Sequence, residues 1–394
     1  MDGVVTVVER WPVALVCFAF ALFLLSVAAI SRFDVSSQLE YDFSKLRRVD
    51  TWSQGDGYWG RKVNALLGRY VTPTLVMSDS VGASVATERA VRASMDSGSL
   101  SAMVASVRGV GDVLPDAQDA KIGVVHSIRE ALTPKIRSLI AEDMRSRIDS
   151  LLGPEDLRPI EPSDLPAGLV SGLRERDGTL GRTLLVYPRP SEMLWRAKEI
   201  RSFVTELRSD ASTGLAPNES PGRIAGSIPL SNDILASIGR DAPLASLVSL
   251  LGVIAVVLVV LRAGTPAMYV IGSLLVGVVW LGGATMLLHV KINFCNFVAL
   301  PITFGIGVDY AVNVIARYAQ DGSGDVSGAV RSTGAAVGLC SLTTIIGYSS
   351  LLLAKNRALY LFGLTAVLGE VACLTAAVIA LPAFLVAVKR WDRL

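Results

Sequence analysis

The chain has 394 residues, 51% of them apolar and only 18% charged, with a formal net charge of +2 and a mean hydropathy of +0.50. It is too apolar for a purely soluble enzyme and too regularly patterned for disorder. Its charge is too small and too evenly spread for a nucleic-acid binder.

Charge location divides the chain. Residues 32–241 hold 27 of the 37 Lys and Arg and 28 of the 35 Asp and Glu, so the other 184 residues share only 17 charges. The first part is a water-soluble domain of near-zero net charge; the rest is bilayer protein. The expected layout is a first span within 1–31, a soluble α+β domain at 32–241 and a five-helix bundle at 242–394.

In chain order, residues 12–30 form an apolar stretch long enough to span a bilayer, preceded by Arg10. Ser26-Val27-Ala28 offers a weak cleavage pattern, but 19 apolar residues are long for a signal core, and an uncleaved span gives an even count. Residues 73–78 read as a strand and 82–97 as a helix. Residues 118–152 read as helical, because Leu132, Ile136, Leu139, Ile140, Met144, Ile148, Leu151 and Leu152 recur at helical spacing. Their apolar stripe is ordinarily a core or partner-helix face. Residues 153–181, rich in Pro and Gly, read as loop. Residues 180–187 read as a strand closed by Pro188, 190–208 as a helix with Ser191 as N-cap, and 222–228 as a last strand before a long helix. Strands alternating with helices point to small subdomains of the βαβ kind. No catalytic cluster occurs here, and His126 reads as structural.

Five more spans follow, near 242–261, 265–288, 292–316, 332–354 and 358–388. With both termini on one side, that side collects Arg10, Arg262, Arg317, Arg331, Lys389, Arg390 and Arg393, against Lys291, Lys355 and Arg357 opposite. The positive-inside rule makes the richer side cytoplasmic and places residues 32–241 outside, in the periplasm of a Gram-negative cell. The cysteines, Cys17, Cys295, Cys340 and Cys373, all lie in apolar stretches, so the soluble domain has no disulfide. No zinc spacing exists, with only His126 and His289 as histidines. No metal or cofactor is expected.

Ionisable residues inside spans are costly and are functional candidates by default. Asp309 and Glu370 are the two carboxylates that qualify. Asp309 is eight residues from Arg317, roughly 12 Å of helix, and Glu370 lies at a comparable depth. Both therefore sit near the midplane. Desolvation disfavours the charged form of a carboxyl group there, so it can load and release a proton as its surroundings change. Tyr310 adjoins Asp309, and Asn313 lies one turn on. The fifth span offers the hydroxyls of Ser341, Thr343, Thr344 and Tyr348. Gly305 and Gly307, and Gly334 with Gly338, permit close helix approach. A purely structural role for the acids, holding helices together, is the competing reading. GIGVDY lacks the third glycine of a dinucleotide loop. An intramembrane aspartyl protease would need two membrane aspartates and a Gly-x-Gly-Asp order, which the extra residue between Gly307 and Asp309 breaks.

These residues carry a resemblance. One span, a large exterior domain and five further spans resembles one half of an RND-superfamily transporter. GIGVDYAVNVIARY is similar to the Asp-Tyr signature in the fourth span of the MMPL branch. The likeness is nearest to the second half of hopanoid-biosynthesis-associated RND transporters, on GRIAGSIPLSNDI (222–234), FVALPITFGIGVDYAVNVIARY (297–318), SLTTIIGYSSLLLAKNRAL (341–359) and FGLTAVLGEVACLTAAVIALPA (362–383). It is strong in the last 175 residues and diffuse in 32–221. The resemblance implies a porter-like exterior domain, export of lipids or other hydrophobic molecules from the inner toward the outer membrane, and the proton gradient as energy source. Asp309 would be the relay, with Tyr310 as its neighbour and Thr343, Thr344, Tyr348 and Glu370 as further members. Such transporters carry two tandem halves. A six-span chain would pair with itself or a sister half, or be a piece of a twelve-span protein. The rivals are a SecDF-like accessory of protein export and a non-transporting lipid sensor akin to sterol-sensing proteins.

Overall fold

The computed structural model describes residues 2–32, 34, 39–40, 42–154, 156–213, 215, 220–320 and 325–391; Arg393 lies outside them. Contacts divide the chain into two compact units. One comprises residues 1–59, 195–197 and 232–394, the other residues 60–194 and 198–231.

The first unit is helical. The described residues contain six helices long and apolar enough to cross a membrane: Pro12–Ile30, Ser227–Val260, Thr265–Leu287, Asn296–Gln320, Val326–Leu353 and Arg357–Trp391. The chain is a multi-pass membrane protein. The second of these helices begins within the other unit and continues through Pro243. The fifth ends in a 3-10 turn, Leu351–Leu353. The sixth starts where the Asn356 side chain accepts from the backbone N–H groups of Ala358 and Leu359, at 3.0 and 3.3 Å. It contains a π-helical turn, Ala376–Ala380. Pro382 follows at once and has no N–H to return to Val378, which removes one α-helical bond from the ladder there. Before the first span lies a short amphipathic helix, Asp2–Arg10, absent from the sequence expectations. Its Val5 and Val8 are buried, and the Glu9 carbonyl accepts from the Arg390 guanidinium at 2.5 Å.

The second unit is built on a four-stranded sheet of β1 (Thr74–Met77), β2 (Val104–Arg108), β3 (Thr183–Pro188) and β4 (Arg223–Ala225), in the order β2-β3-β1-β4. Every neighbouring pair is antiparallel. Helix Val81–Ser97 links β1 to β2, and helix Ala197–Asp210 links β3 to β4. This is the split βαβ arrangement, in which a third strand lies between the two strands of each crossover. Alternation along β1 and β3 turns Val76, Leu184 and Val186 inward, onto Val91, Phe203, Val204 and Leu207 of the two helices.

Several expectations change. Strand β2 and helix Asp56–Leu67 were not read from the sequence. The stretch 118–152 is three helices, Gln118–Ala131, Pro134–Leu139 and Glu142–Leu152. Pro134 starts the second, and extended backbone at Ile140 and Ala141 separates it from the third. Their stripe is not core, since Leu139 is 82% and Leu151 81% exposed while Leu152 is buried. Ser191 caps no α-helix. A 3-10 turn, Glu192–Trp195, intervenes, and the Ser191 carbonyl accepts from the Tyr70 hydroxyl at 3.0 Å. His126 is exposed.

One buried acid sets a testable energetic feature of the second unit. Asp210, 8% exposed, accepts from Ser94 Oγ at 3.0 Å through Oδ1, while Oδ2 has no partner among the described residues. Burial pushes its carboxyl above the ordinary value, against the Ser94 hydrogen bond and with help from Glu206. A raised folded-state value favours folding below the unfolded carboxylate range, and that advantage is lost as pH rises through the folded value. At neutral pH the ionised group therefore opposes folding. Asp210→Asn in the full chain should stabilise this unit at pH 7 by about 1 kcal/mol, with the gain shrinking toward pH 3–4. Hydrogen exchange of the sheet amides at the two pH values measures it; equal protection in both proteins at pH 7 would refute it.

Candidate functional site: a buried carboxyl in the helical bundle

The site begins with close packing. Cys373 of the sixth span is wedged between two glycines. A Cβ at Gly277 would stand 2.9 Å from its Sγ, and one at Gly307 only 2.7 Å. Real Cβ atoms do not come so near, so hydrogen at both positions is what lets the third and fourth spans close on the sixth. Thr303 fits against Gly369 in the same way. At the start of the fourth span, Asn293 and Asn296 cap each other's backbone, with the Asn293 N–H to Asn296 Oδ1 at 2.7 Å and the Asn296 N–H to Asn293 Oδ1 at 3.1 Å. The Asn296 amide also reaches the Thr365 hydroxyl of the sixth span at 3.4 Å.

This packing sets Glu370 against two hydroxyls. The Tyr310 hydroxyl of the fourth span and the Ser341 hydroxyl of the fifth, the latter at 2.9 Å, both donate to Glu370 Oε1. Glu370 is 3% exposed, Tyr310 2%, and Ser341 is fully buried. Three spans thus converge on one carboxyl, removed from solvent and held by two neutral donors. Such a group is chemically suited to binding and releasing a proton.

The other expected residues are elsewhere. Asp309 is exposed on the fourth span, and no described residue hydrogen-bonds its carboxylate; its backbone carbonyl accepts from Asn313 Nδ2 at 2.8 Å. Consecutive helical positions point about 100° apart, which is why Tyr310 turns inward and Asp309 does not. The hydroxyls of Thr343 and Thr344 turn back on the Cys340 carbonyl, at 2.7 and 3.0 Å. Tyr348 is half-buried and packs edge-on against Phe362, ring centroids 6.0 Å apart. Gly305 faces open space, whereas Gly307 is a packing position; Gly334 is buried and Gly338 half-buried. Gly277, Thr303 and Asn296 were not singled out in the sequence, and Cys373 was read there only as a cysteine in an apolar stretch. Their only signal there is small or amide side chains within apolar runs. Among the described residues, no group of three or more His, Cys, Asp or Glu could hold a metal ion.

The MMPL family profile matches residues 76–394, most of the chain. The chain belongs to the MMPL family. A membrane protein of Methanocaldococcus jannaschii is 26% identical over 149 residues, covering 36% of this chain and 38% of that protein. The crystal structure of a heavy metal efflux pump superposes on 53% of this chain and 21% of the pump, at 13% identity and a TM-score of 0.36. The chain therefore spans well under half the length of either match.

The two glycines of the fourth span give a paired test. Gly307→Val should destabilise the protein by about 1–3 kcal/mol, the usual scale of overpacking, because Cys373 has no room to retreat. Gly305→Ala should leave stability unchanged or slightly raised. Thermal unfolding in detergent reads both; equal effects would show that Gly307 is not a contact position.

Proposed function

We propose that this MMPL chain acts as one half of a proton-coupled RND-type exporter in a bacterial inner membrane. It works with a second six-span half, in a copy of itself or a sister chain. It moves a hydrophobic lipid, with hopanoids as the candidate class, toward the outer membrane. Residues 32–241 are the porter-like periplasmic domain in this reading, and both termini are cytoplasmic, as the distribution of Arg and Lys favours.

The observation that carries the reading is Asp309. An acid in a spanning helix is costly when it faces hydrocarbon, and its carboxylate is exposed on this chain with no described partner. A second half laid against the fourth span would cover it and supply the facing surface that alternating access needs. Asp309 then serves as the relay carboxylate, with Tyr310 beside it. Thr343, Thr344 and Tyr348 of the fifth span, and Glu370 of the sixth, complete the relay. Gly307, Gly334 and Gly338 serve helix packing within this half, and Gly305, open on this chain, serves it against the second half.

Asp309→Asn keeps shape and hydrogen bonding but cannot ionise. It should insert and melt like the wild type while lipid export falls to background. Export from cells carrying the chain alone, and proton uptake by proteoliposomes, measure the two halves of the claim. Export by the variant at the wild-type rate would remove Asp309 from the mechanism.

A further inference from the structure

The two membrane carboxylates occupy different environments within the same chain. Asp309 is exposed. Glu370 is buried, and among the described residues its hydrogen-bond donors are Tyr310 of the fourth span and Ser341 of the fifth. We propose that Glu370, Tyr310 and Ser341 form a self-contained proton-holding site inside the six-span half, with Ser341 as its positioning residue. The inference rests on and deepens the proton-coupled reading above.

The geometry assigns the atoms. Both hydroxyls donate to Oε1. Oε1 thus serves as the carbonyl-type acceptor, and Oε2 is the atom that takes up the proton as an O–H and gives it back. In the neutral state two donors meet the carbonyl oxygen. In the ionised state the same two donors stabilise the carboxylate, so the site has a partner set in both states and need not rearrange to cycle. Tyr310 anchors the carboxyl from the fourth span. Ser341 fixes the carboxyl from the fifth span, and the two together set its position between helices.

The surroundings contain little that would compete. Tyr348 of the fifth span and Cys373 on the sixth are close enough to feel charge on Glu370, and Cys340 of the fifth span is close enough to feel charge on Tyr310. The third span, Thr265–Leu287, contains no charged residue. Asp309 adjoins Tyr310 in sequence but presents its carboxylate to the outside of the chain. No Lys or Arg lies in the fourth span before Arg317, so nothing on that helix neutralises Glu370 by ion pairing. A buried carboxyl served only by neutral donors is held by protonation rather than by a counter-charge.

Infrared spectroscopy of the purified full chain tests this without requiring transport. A protonated buried carboxyl gives its own C=O stretch, and that band should disappear in Glu370→Gln while persisting in Asp309→Asn. In Ser341→Ala the band should move to higher frequency, because a donor to the carbonyl oxygen is lost. Ser341→Thr, which restores a hydroxyl, should return it toward the wild-type position. A merely structural serine would leave the frequency unmoved. The proposal is overturned if the band survives in Glu370→Gln, if no protonated carboxyl band appears at any pH at which the protein is folded, or if Ser341→Ala leaves the band where it was. Should the chain fail to export lipid by itself while the infrared pattern holds, pairing with a copy of itself falls and the proton site stands.

Discussion

A carboxyl group inside a helical bundle has no water to turn to, and the bundle around Glu370 is arranged by that fact. The cost of leaving such a group without donors is several kilocalories per mole, so two hydroxyls from two other spans must reach it. They reach it only because the sixth span sits close to the third and fourth. That closeness depends on Gly277 and Gly307, which leave Cys373 its place. A methyl group at Gly307 would press on Cys373 between the sixth span and the helix that carries Tyr310, and one at Gly277 would press on it from the third span. Backbone proximity, donor geometry and the burial of the acid are one constraint expressed at three scales.

How much of this was legible in the sequence differs by element. The spans were plain, because about 20 apolar residues leave little else to be, and the six long apolar helices fall where those stretches predict. Three of the four strands were legible, Arg223–Ala225 among them. Thr74–Met77 and Thr183–Pro188 are apolar runs with clear punctuation, while Val104–Arg108 reads VASVR, too short and polar to stand out, and becomes a strand because β3 offers it a partner. The stretch 118–152 misled for the opposite reason. Its helical periodicity is real, but Pro134 and the extended backbone at Ile140 and Ala141 break it into pieces that leave the stripe exposed. Periodicity reports a helix face; it does not report whether anything covers that face.

The candidate site shows the same split between composition and direction. Ionisable residues in apolar runs can be found by inspection, and so can nearby hydroxyls. Which of them meet is a matter of helix phase. Asp309 and Tyr310 are adjacent in sequence, yet the turn between them sends one outward and one inward. Thr343 and Thr344, the relay candidates of the sequence, both bond back to the Cys340 carbonyl in this chain. Ser341, two positions earlier, faces the core and holds Glu370. A step of two residues in the fifth span therefore separates a hydroxyl that holds the acid from hydroxyls that bond to their own helix, and no periodicity argument on one helix fixes that phase without the other two.

In the proposed exporter, the division of the two acids has a consequence for how a six-span half would work. A group whose partners all lie within the half can bind a proton without reference to anything outside it. A group on the surface of the half changes its environment whenever that surface is covered or uncovered. Glu370 is of the first kind and Asp309 of the second. Tyr310 joins them, because its backbone is continuous with Asp309 and its hydroxyl is bonded to Glu370. Any rotation of the fourth span that re-exposes or re-covers Asp309 must also pull on that hydroxyl. The adjacent Asp-Tyr pair thus does more than place two polar groups side by side. It connects an exposed acid to a buried one through a single step along the helix.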